Sequence, residues 1–273
     1  MLRVFVDSAS SIKQEEREKY GVEIIPLRYL MGEVEYEDGI DLSIDQFYEK
    51  LIQGKMFPKT SLPSLVELQE KISQLTNDGD DVLILTLSSG ISGTYNAIVN
   101  IFKDNPKVKV VDTLSAVGGI RILVEEINKN KDKSIDEIID ILNALIPRIK
   151  ILAIPETLDY LLKGGRLSKK EWVLGKIFNI KPVISFKTGK VCVDAKKIGL
   201  KSAMKHIALQ IENTCDENYS IVPSYTYNAQ NLEELIKITP EKYHKQMIEF
   251  DNLDPVIACH WGPNAFGFIF VQK

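Results

Sequence analysis

The stretch Asp81-Val-Leu-Ile-Leu-Thr-Leu-Ser-Ser-Gly-Ile-Ser-Gly-Thr-Tyr95 decides how the chain is expected to fold. Residues 82–87 form an apolar run, broken only by Thr86, of the kind found in a buried parallel strand. Three serines and two glycines follow within residues 88–93, and a helical pattern begins at Thr94. Such a loop offers free backbone N–H groups and hydroxyl donors to an anion. The stretch therefore predicts a carboxylate or phosphate site, with a plain strand-to-helix connection as the simpler alternative.

Strand-like and helix-like segments alternate on both sides of this stretch, as far as residue 148. Strands are predicted at residues 2–6, 22–30, 82–87 and 108–111. Helices are predicted at residues 44–53, 94–105, 116–128 and 135–145. Polar loops follow three of the strands, at residues 7–11, 88–93 and 112–115. The pattern predicts an α/β domain, with a Rossmann-like parallel sheet covered by helices on both faces and with converging loops at the carboxyl ends of its strands.

The second half of the chain has a different character. A turn signal, Lys187-Thr-Gly189, separates two strand-like segments and predicts a hairpin. Helices are predicted at residues 156–162, 172–178 and 200–213, and further strands at 150–154, 219–225, 246–250, 256–258 and 266–271. This mixture predicts an α+β domain with a mixed sheet. We therefore expect two domains, residues 1–148 and 149–273, with the boundary near Pro147.

Composition limits the classes of partner. The net charge of -4 provides no basic surface for nucleic acid and no polybasic patch for a membrane. No segment approaches the ~18 apolar residues of a membrane helix, and the N-terminus enters a strand pattern without a signal-peptide pattern. The three cysteines share no CxxC spacing, which favours reduced thiols over disulfides or a zinc site. The expectation is a cytoplasmic protein without metal, nucleic-acid partner or stable membrane insertion.

Other polar segments are candidates for the same site. Thr60 and Ser61 lie in a loop rich in hydroxyls and prolines, where helix capping is the competing role. His260 precedes Trp-Gly-Pro, and Arg166 follows two glycines. The GxGxxG, Walker A and HExxH patterns are absent. A serine-dependent acyl or phosphate ester hydrolase with Ser89 or Ser92 as nucleophile is an alternative, against which the missing GxSxG elbow speaks.

Taken together, the motifs resemble those of the DegV family of bacterial fatty-acid-binding proteins. The segments that carry the resemblance occur in family order over nearly the whole chain: Asp7-Ser-Ala-Ser10, Thr60-Ser-Leu-Pro63, Leu87-Ser-Ser-Gly-Ile-Ser-Gly-Thr94, Val111-Asp-Thr113, Leu161-Leu-Lys-Gly-Gly-Arg-Leu167, Lys181-Pro-Val183 with Gly189, and His260-Trp-Gly-Pro263. The chain departs from the family pattern at Leu62, at Asn264 and in residues 222–226.

The resemblance implies a long-chain fatty acid, such as palmitate, stearate or oleate, held between two domains. By position, it implies a carboxylate site formed by Thr60, Ser61, Ser89 and His260, with backbone support from Gly90. Ser8, Ser92 and Arg166 are further candidates for supporting roles at this site. Some family members are acyl-carrier subunits that present the carboxylate to a separate ATP-dependent fatty acid kinase, which forms acyl phosphate for phospholipid synthesis. The chain itself is then expected to be a carrier and not an enzyme.

Overall fold

The computed structural model describes residues 1–54, 56–175, 179–249 and 252–273. Its first sheet is parallel and consists, in spatial order, of β2 (Val22–Ile25), β1 (Leu2–Asp7), β6 (Asp81–Thr86) and β7 (Val108–Asp112). The inner strand β6 contains most of the apolar run at residues 82–87, and Val82 to Leu85 are fully buried. Burial on both faces of the sheet explains why residues 82–85 are all apolar and do not alternate with polar residues.

Helices cover both faces of this sheet, as predicted. On one face, α3 (Leu65–Asn77) and α4 (Thr94–Phe102) pack on Phe5 and Ile84. The other face packs on α5 (Gly118–Lys129), through Val6 and Leu85. Helices α1 (Gln14–Tyr20) and α6 (Ile135–Leu145) lie beside α5. Ser134 caps α6 in a reciprocal capping box with Glu137.

A five-stranded second sheet contains, in spatial order, β10 (Lys190–Ile198), β9 (Ile180–Lys187), β8 (Ile149–Ile154), β12 (Phe266–Val271) and β11 (Val222–Tyr225). Neighbouring strands are antiparallel, and isolated parallel bridges join Ile221 to Met247 and Tyr225 to Asn252 beside β11. Helices α9 (Leu200–Thr214) and α10 (Gln230–Ile238) cover one face. The predicted α/β fold class with a second, mixed sheet is therefore confirmed.

Helix α5 packs between the two sheets. Its apolar side chains belong to one buried cluster that includes Leu85 of the parallel sheet and Ile151 and Ile269 of the second sheet. A short 3-10 turn, Ile146–Arg148, leads from α6 into the second sheet. The proposed division of the chain into two domains, residues 1–148 and 149–273, stays a prediction.

One predicted strand, residues 22–30, is two strands. Pro26 has no N–H for a strand ladder, so β2 ends at Ile25 and the chain turns away. It continues as β3 (Arg28–Met31) in a small antiparallel sheet with β4 (Val34–Glu37) and β5 (Lys59–Ser61). This turn places Thr60 on a strand instead of in the predicted loop.

The strand predicted at residues 256–258 is wrong, because these residues belong to helix α11 (Pro255–Trp261). Periodicity alone does not decide whether a short apolar run is a buried strand or part of a buried helix. Two signals favour the helix: Pro255 stands at its first position, and Gly262, with φ 69°, follows its last residue. Helix α11 packs on β3, on α2 (Ile44–Gly54) and on α7 (Asp159–Lys163).

Two further predicted elements differ at their ends. Helix α8 covers Lys169–Gly175, and residues 176–178 of the predicted helix lie outside the described residues. The strand predicted at residues 246–250 is reduced to a bridge at Met247, and Phe250 lies outside the described residues. None of the helices within the described ranges combines the length and apolar character needed to cross a bilayer.

Candidate functional site

A cavity with one polar wall, which we call the polar cavity, lies where β5, α11 and the serine-rich loop after β6 (residues 88–93) meet. It encloses about 540 Å³ of atom-free space, counted out to its mouth. Its polar wall is formed by Thr60, Ser61, Ser92, Arg166 and His260. Within the described part of its lining, Arg166 is the one charged side chain. Hydroxyls beside a single cation form a wall that suits an anion.

A second cavity, of about 430 Å³ on the same measure, lies between the second sheet and Ala116 and Val117, the two residues that precede α5. Its wall is almost entirely aliphatic and aromatic, with Leu152, Phe266 and Phe268 among its members. The two cavities share three wall residues, Ala116, Phe186 and Trp261. An apolar chamber thus adjoins the polar one, which is the arrangement that a long amphipathic ligand requires.

The three strand-end loops converge, as the sequence analysis predicted. The Leu87 N–H donates to Asp7 Oδ2 at 2.6 Å, and the Ser89 N–H donates to Asp112 Oδ1 at 3.0 Å. The Ser88 N–H donates to the Ser115 carbonyl at 2.8 Å. Burial raises the pKa of the Asp7 carboxyl to about 7. The serine-rich loop is therefore held by the neighbouring strand ends before any ligand binds.

Gly90 and Ser88 attach this loop to the second sheet. The Ser88 hydroxyl donates to the Gly189 carbonyl at 2.6 Å, in the turn between β9 and β10. A Cβ atom at Gly90 would lie only 2.5 Å from that same carbonyl oxygen. Gly90 is therefore required for the close approach of the two backbones. Ser89 and Gly90 are absent from the linings of both cavities, so the contact predicted for them with a ligand stays a prediction.

Ser92 lines the polar cavity at the start of helix α4. Its hydroxyl oxygen accepts a hydrogen bond from the Thr94 N–H at 3.2 Å and lies 2.9 Å from Thr94 Oγ1. If Thr94 donates in that second contact, the Ser92 hydroxyl proton remains for a ligand. Ser92 was predicted only as a supporting residue. Of Ser89 and Ser92, however, Ser92 is the one that lines the polar cavity and can contact a ligand there.

His260 meets Thr60 at the floor of the cavity. His260 Nε2 lies 2.9 Å from Thr60 Oγ1, although the two residues are 200 positions apart. The ring is half-buried, and its Nδ1 atom is enclosed without a hydrogen-bond partner among the described residues. Since a buried N–H is rarely left unpaired, we assign the proton to Nε2. The ring then donates to Thr60, whose own hydroxyl proton is available to a bound anion.

Burial, together with the positive charge of Arg166, lowers the pKa of His260 to about 3. The imidazole is therefore neutral at physiological pH, and the charge in the cavity belongs to Arg166. Gly164 makes this packing possible, because a Cβ atom there would lie 2.3 Å from His260 Nδ1. With a pKa of about 3 the imidazole is a weak base, and its Nε2 is paired with Thr60 and not with a serine. The geometry therefore does not favour the hydrolase alternative.

Arg166 is positioned by backbone carbonyls. Its Nε donates to the Ile91 carbonyl at 2.8 Å, and Nη1 donates to the carbonyl of Gly164. Burial lowers the pKa of the guanidinium, which still remains charged in proteins. Because its partners are neutral carbonyls, the positive charge is not compensated by a carboxylate in these contacts. Arg166 therefore links the serine-rich loop to the cavity and gives the cavity its positive charge.

Two other predicted residues have different surroundings. The Ser61 hydroxyl is exposed at the mouth of the cavity and donates to Glu35 Oε1 at 3.0 Å. Ser8 is buried outside the two cavities, where its hydroxyl oxygen accepts a hydrogen bond from the Leu27 N–H at 3.1 Å. Ser61 thus lies where a ligand enters, whereas Ser8 joins β1 to the segment before β3.

Sequence reasoning missed the apolar wall residues Ala116, Phe186 and Trp261. Trp261 adjoins His260, so its place could have been suspected, but Ala116 and Phe186 resemble ordinary core residues in the sequence. Gly164 belongs to the Lys-Gly-Gly-Arg segment, and its contact with His260 is visible only in three dimensions. These positions depend on how the two sheets approach each other, which local patterns do not encode.

We expect His260 to make the protein less stable in mild acid. Its pKa is about 3 in the folded chain and roughly 6.5 when unfolded. Between these values the unfolded chain binds more protons, so the free energy of unfolding falls as pH drops below about 6.5, by at most ~1.4 kcal/mol per pH unit. Urea unfolding of wild type and His260→Gln between pH 7 and pH 5 measures this. An equal loss of stability in both proteins would contradict the assignment.

Comparison with known proteins gives the chain a family. The model of the DegV family, described as a family of uncharacterised proteins, matches residues 1–273. The chain belongs to the DegV family. Among curated DegV domain-containing proteins, one from Streptococcus pneumoniae is 32% identical over 277 residues, covering 98% of each chain. Another, from Caldanaerobacter subterraneus subsp. tengcongensis, is 29% identical over 280 residues, covering 100% of this chain and 99% of its own.

Solved structures of DegV proteins have the same fold. A fatty-acid-binding DegV family protein from Streptococcus agalactiae superimposes with a TM-score of 0.89 at 28% identity, covering 100% of this chain and 99% of its own. DegV from Bacillus subtilis, described as a fatty-acid-binding protein, gives a TM-score of 0.84 at 26% identity, again over 100% and 99%. The likeness covers the whole chain and so includes both sheets.

Proposed function

We propose that this DegV protein is a carrier that binds one long-chain fatty acid, such as palmitate, stearate or oleate, in a tunnel between its two domains. The observation that carries the proposal is the pair of adjoining cavities, one with hydroxyls and Arg166 and the other almost wholly apolar. Burying ~14 methylenes at about 0.8 kcal/mol each offers roughly 11 kcal/mol before ordering costs. Structural relatives described as fatty-acid-binding support the same ligand class.

The head group is proposed to lie against Thr60, Ser92 and Arg166. Thr60 donates its hydroxyl proton to the carboxylate while accepting from His260, and Arg166 compensates the negative charge, which would be costly to bury alone. Ser61 stands at the mouth, and Ser89 and Gly90 hold the loop in place. The mouth beside Ser61 is where we propose that a second protein reaches the carboxylate.

We further propose that the carboxylate is presented to an ATP-dependent fatty acid kinase subunit in the cytoplasm. There, a carboxylate oxygen attacks the γ-phosphorus of ATP, the bond to the β-phosphate oxygen breaks, and acyl phosphate and ADP leave. The acyl phosphate enters phospholipid synthesis. Under this proposal the carrier needs neither a metal nor a nucleotide site of its own, and its contribution is to hold the acid with its carboxylate accessible.

The decisive experiment is extraction of the purified protein followed by mass spectrometry. We expect a stoichiometric long-chain acid, and uptake of added palmitate or oleate by delipidated protein. Protein that contains no such acid and takes up neither ligand would refute the carrier proposal. Transfer of phosphate from ATP to the bound acid, in the presence of a fatty acid kinase subunit, tests the presentation step separately.

The two serines provide a sharper prediction about the head group. Ser92→Ala removes a hydroxyl from the cavity wall, and we expect palmitate affinity to fall about three- to tenfold, the value of one hydrogen bond. Ser89→Ala is the matched comparison in the same loop, and we expect affinity within twofold of wild type. Isothermal titration of both variants measures the difference. A larger loss in Ser89→Ala would reverse the assignment and restore Ser89 as the contact residue.

A further inference from the structure

Helix α11 supplies a large part of the wall of the polar cavity. Four of its seven residues line that cavity: Val256, Ile257, His260 and Trp261. Near its last turn, His260 makes the contact with Thr60 described above. A helix of this length has little stability of its own, so its position depends on what holds its two ends.

The first turn of α11 is held by Asp38, which lies 218 positions earlier in the chain. Asp38 Oδ1 accepts a hydrogen bond from the Val256 N–H at 3.1 Å. An N–H in the first turn has no partner within its own helix, so this contact satisfies it. The Asp38 N–H donates in turn to the Leu27 carbonyl at 2.8 Å. Asp38 therefore joins the start of α11 to the segment that leads into β3.

The Asp38 carboxyl is buried next to a second carboxyl. It is 2% exposed, and its Oδ2 atom has no hydrogen-bond partner among the described residues. Asp254, immediately before α11, is close enough for its charge to act on Asp38. Asp254 Oδ1 accepts from Lys13 Nζ at 3.1 Å, so in these contacts one ammonium group serves two carboxyls. Because a buried, ionised carboxylate without its own partner is costly, Asp38 is expected to keep a proton.

Burial, followed by the negative charge of Asp254, raises the pKa of the Asp38 carboxyl to about 8. The Ser8 hydroxyl, the Val256 N–H and the charge of Lys13 act in the opposite direction, but they do not outweigh burial. The balance places the change of charge just above physiological pH.

Other titratable groups face this pair of carboxyls from β3, α2 and α11. Burial raises the pKa of each of them above its ordinary value: Tyr29, Tyr48 and Cys259. These groups therefore stay neutral up to pH 9. Among the described groups around α11, Asp38 is then the one expected to change its charge between pH 7 and pH 9.

We propose that a proton held by Asp38 keeps α11 in the position that forms the cavity wall, and that loss of this proton in mild alkali weakens fatty-acid binding. The inference rests on the proposed fatty-acid function. An ionised Asp38 repels Asp254 across the first turn of α11, and their separation shifts the helix that carries His260 and Trp261. Asp38 lines neither cavity, so it is a positioning residue that acts through α11.

The first test follows the palmitate affinity of delipidated protein by isothermal titration between pH 6.5 and pH 9. We expect the affinity of wild type to fall about fivefold or more, with a midpoint near pH 8. Asp38→Asn keeps an oxygen that accepts from Val256 and cannot ionise, so its affinity should stay nearly constant over this range. The same pH dependence in both proteins, or none in wild type, overturns the inference.

Asp41→Asn is the matched control. Asp41 follows Asp38 in the same turn but is exposed, and its Oδ2 atom accepts from the Glu37 N–H at 2.6 Å. We expect this variant to lose palmitate affinity with the same pH dependence as wild type. A constant affinity in Asp41→Asn would assign the effect to the turn in general and overturn the role of Asp38.

Asp254→Asn provides a readout that a merely structural role would not move. Without the charge of Asp254, Lys13 is left to stabilise an ionised Asp38, so the midpoint of the affinity loss should move to lower pH. This variant also keeps the inference testable if Asp38→Asn does not fold. An unchanged midpoint overturns the inference.

Unfolding without a ligand separates the proton on Asp38 from the carrier function. The pKa of Asp38 is about 8 in the folded chain and roughly 3.9 in the unfolded chain, so the folded chain binds more protons between these values. Rising pH should therefore increase the unfolding equilibrium constant of wild type relative to Asp38→Asn, by up to about tenfold per pH unit. Urea unfolding between pH 6.5 and pH 8 measures this.

The two measurements have different failures. Equal pH dependence of unfolding in wild type and Asp38→Asn shows that Asp38 does not hold the proton and overturns the inference. Failure of wild type to bind palmitate at any pH refutes the carrier function, and with it the effect on binding.

Discussion

Ala116→Phe is expected to abolish retention of long-chain acids. Ala116 is 3% exposed and lines both cavities, so a phenyl group there occupies the passage between them. Excluding about six methylenes from the apolar cavity, at ~0.8 kcal/mol each, costs roughly 5 kcal/mol and weakens binding more than a thousandfold. Acids of eight carbons or fewer keep the head-group contacts, and we expect their weak binding to change little. Mass spectrometry of the purified variant and titration with octanoate and palmitate measure both effects.

Ala144→Phe is the control for this variant. Ala144 is exposed on α6 and lines neither cavity, so the same added atoms meet only solvent. We expect its palmitate affinity to equal that of wild type. If Ala116→Phe retains palmitate at wild-type affinity while remaining folded, the acyl chain does not pass Ala116. The proposed course of the tunnel would then have to be abandoned.

Gly267→Ala is expected to cause a large loss of stability. A Cβ atom there would lie 2.1 Å from the Leu152 carbonyl oxygen and 2.6 Å from Ala153 Cα, both in the backbone of the neighbouring strand β8. Since main-chain atoms in the middle of a sheet cannot move aside cheaply, we expect a cost of about 3 kcal/mol or more. That corresponds to a fall in Tm of roughly 6–12 °C for a chain of this size.

Gly93→Ala is the matched control for the glycine substitution. A Cβ atom at Gly93 would meet nothing closer than Leu62 Cδ2 at 3.8 Å, and the backbone φ is -79°. We expect its Tm to stay within about 2 °C of wild type. Thermal unfolding followed by circular dichroism compares the two variants directly. A small shift for Gly267→Ala would mean that β8 and β12 can separate more easily than their packing indicates.

Much of the fold was predictable because its signals are local. The apolar run of β6 and the turn at Thr188 and Gly189 are each defined by a few neighbouring residues. The predictions that failed concern features that depend on contacts between residues distant in sequence. Whether residues 256–258 form a helix or a strand is not decided by their apolar character, and the break at Pro26 matters because β3 finds partners in β4 and β5.

The same distinction between local signals and long-range packing applies to the candidate site. The sequence by itself identified the family, because the motifs occur in recognisable segments. It also predicted Thr60 and His260 as members of one anion site, with Ser92 and Arg166 as supporting candidates, and that assignment stays a prediction. Only the tertiary structure distinguished Ser92, which lines the polar cavity, from Ser89, which does not, because both lie in one loop. Only the tertiary structure assembled Ala116, Phe186 and Ser224 into cavity walls. Local interactions determine how a loop or a helix forms, but the shape of a cavity depends on how elements distant in sequence pack together.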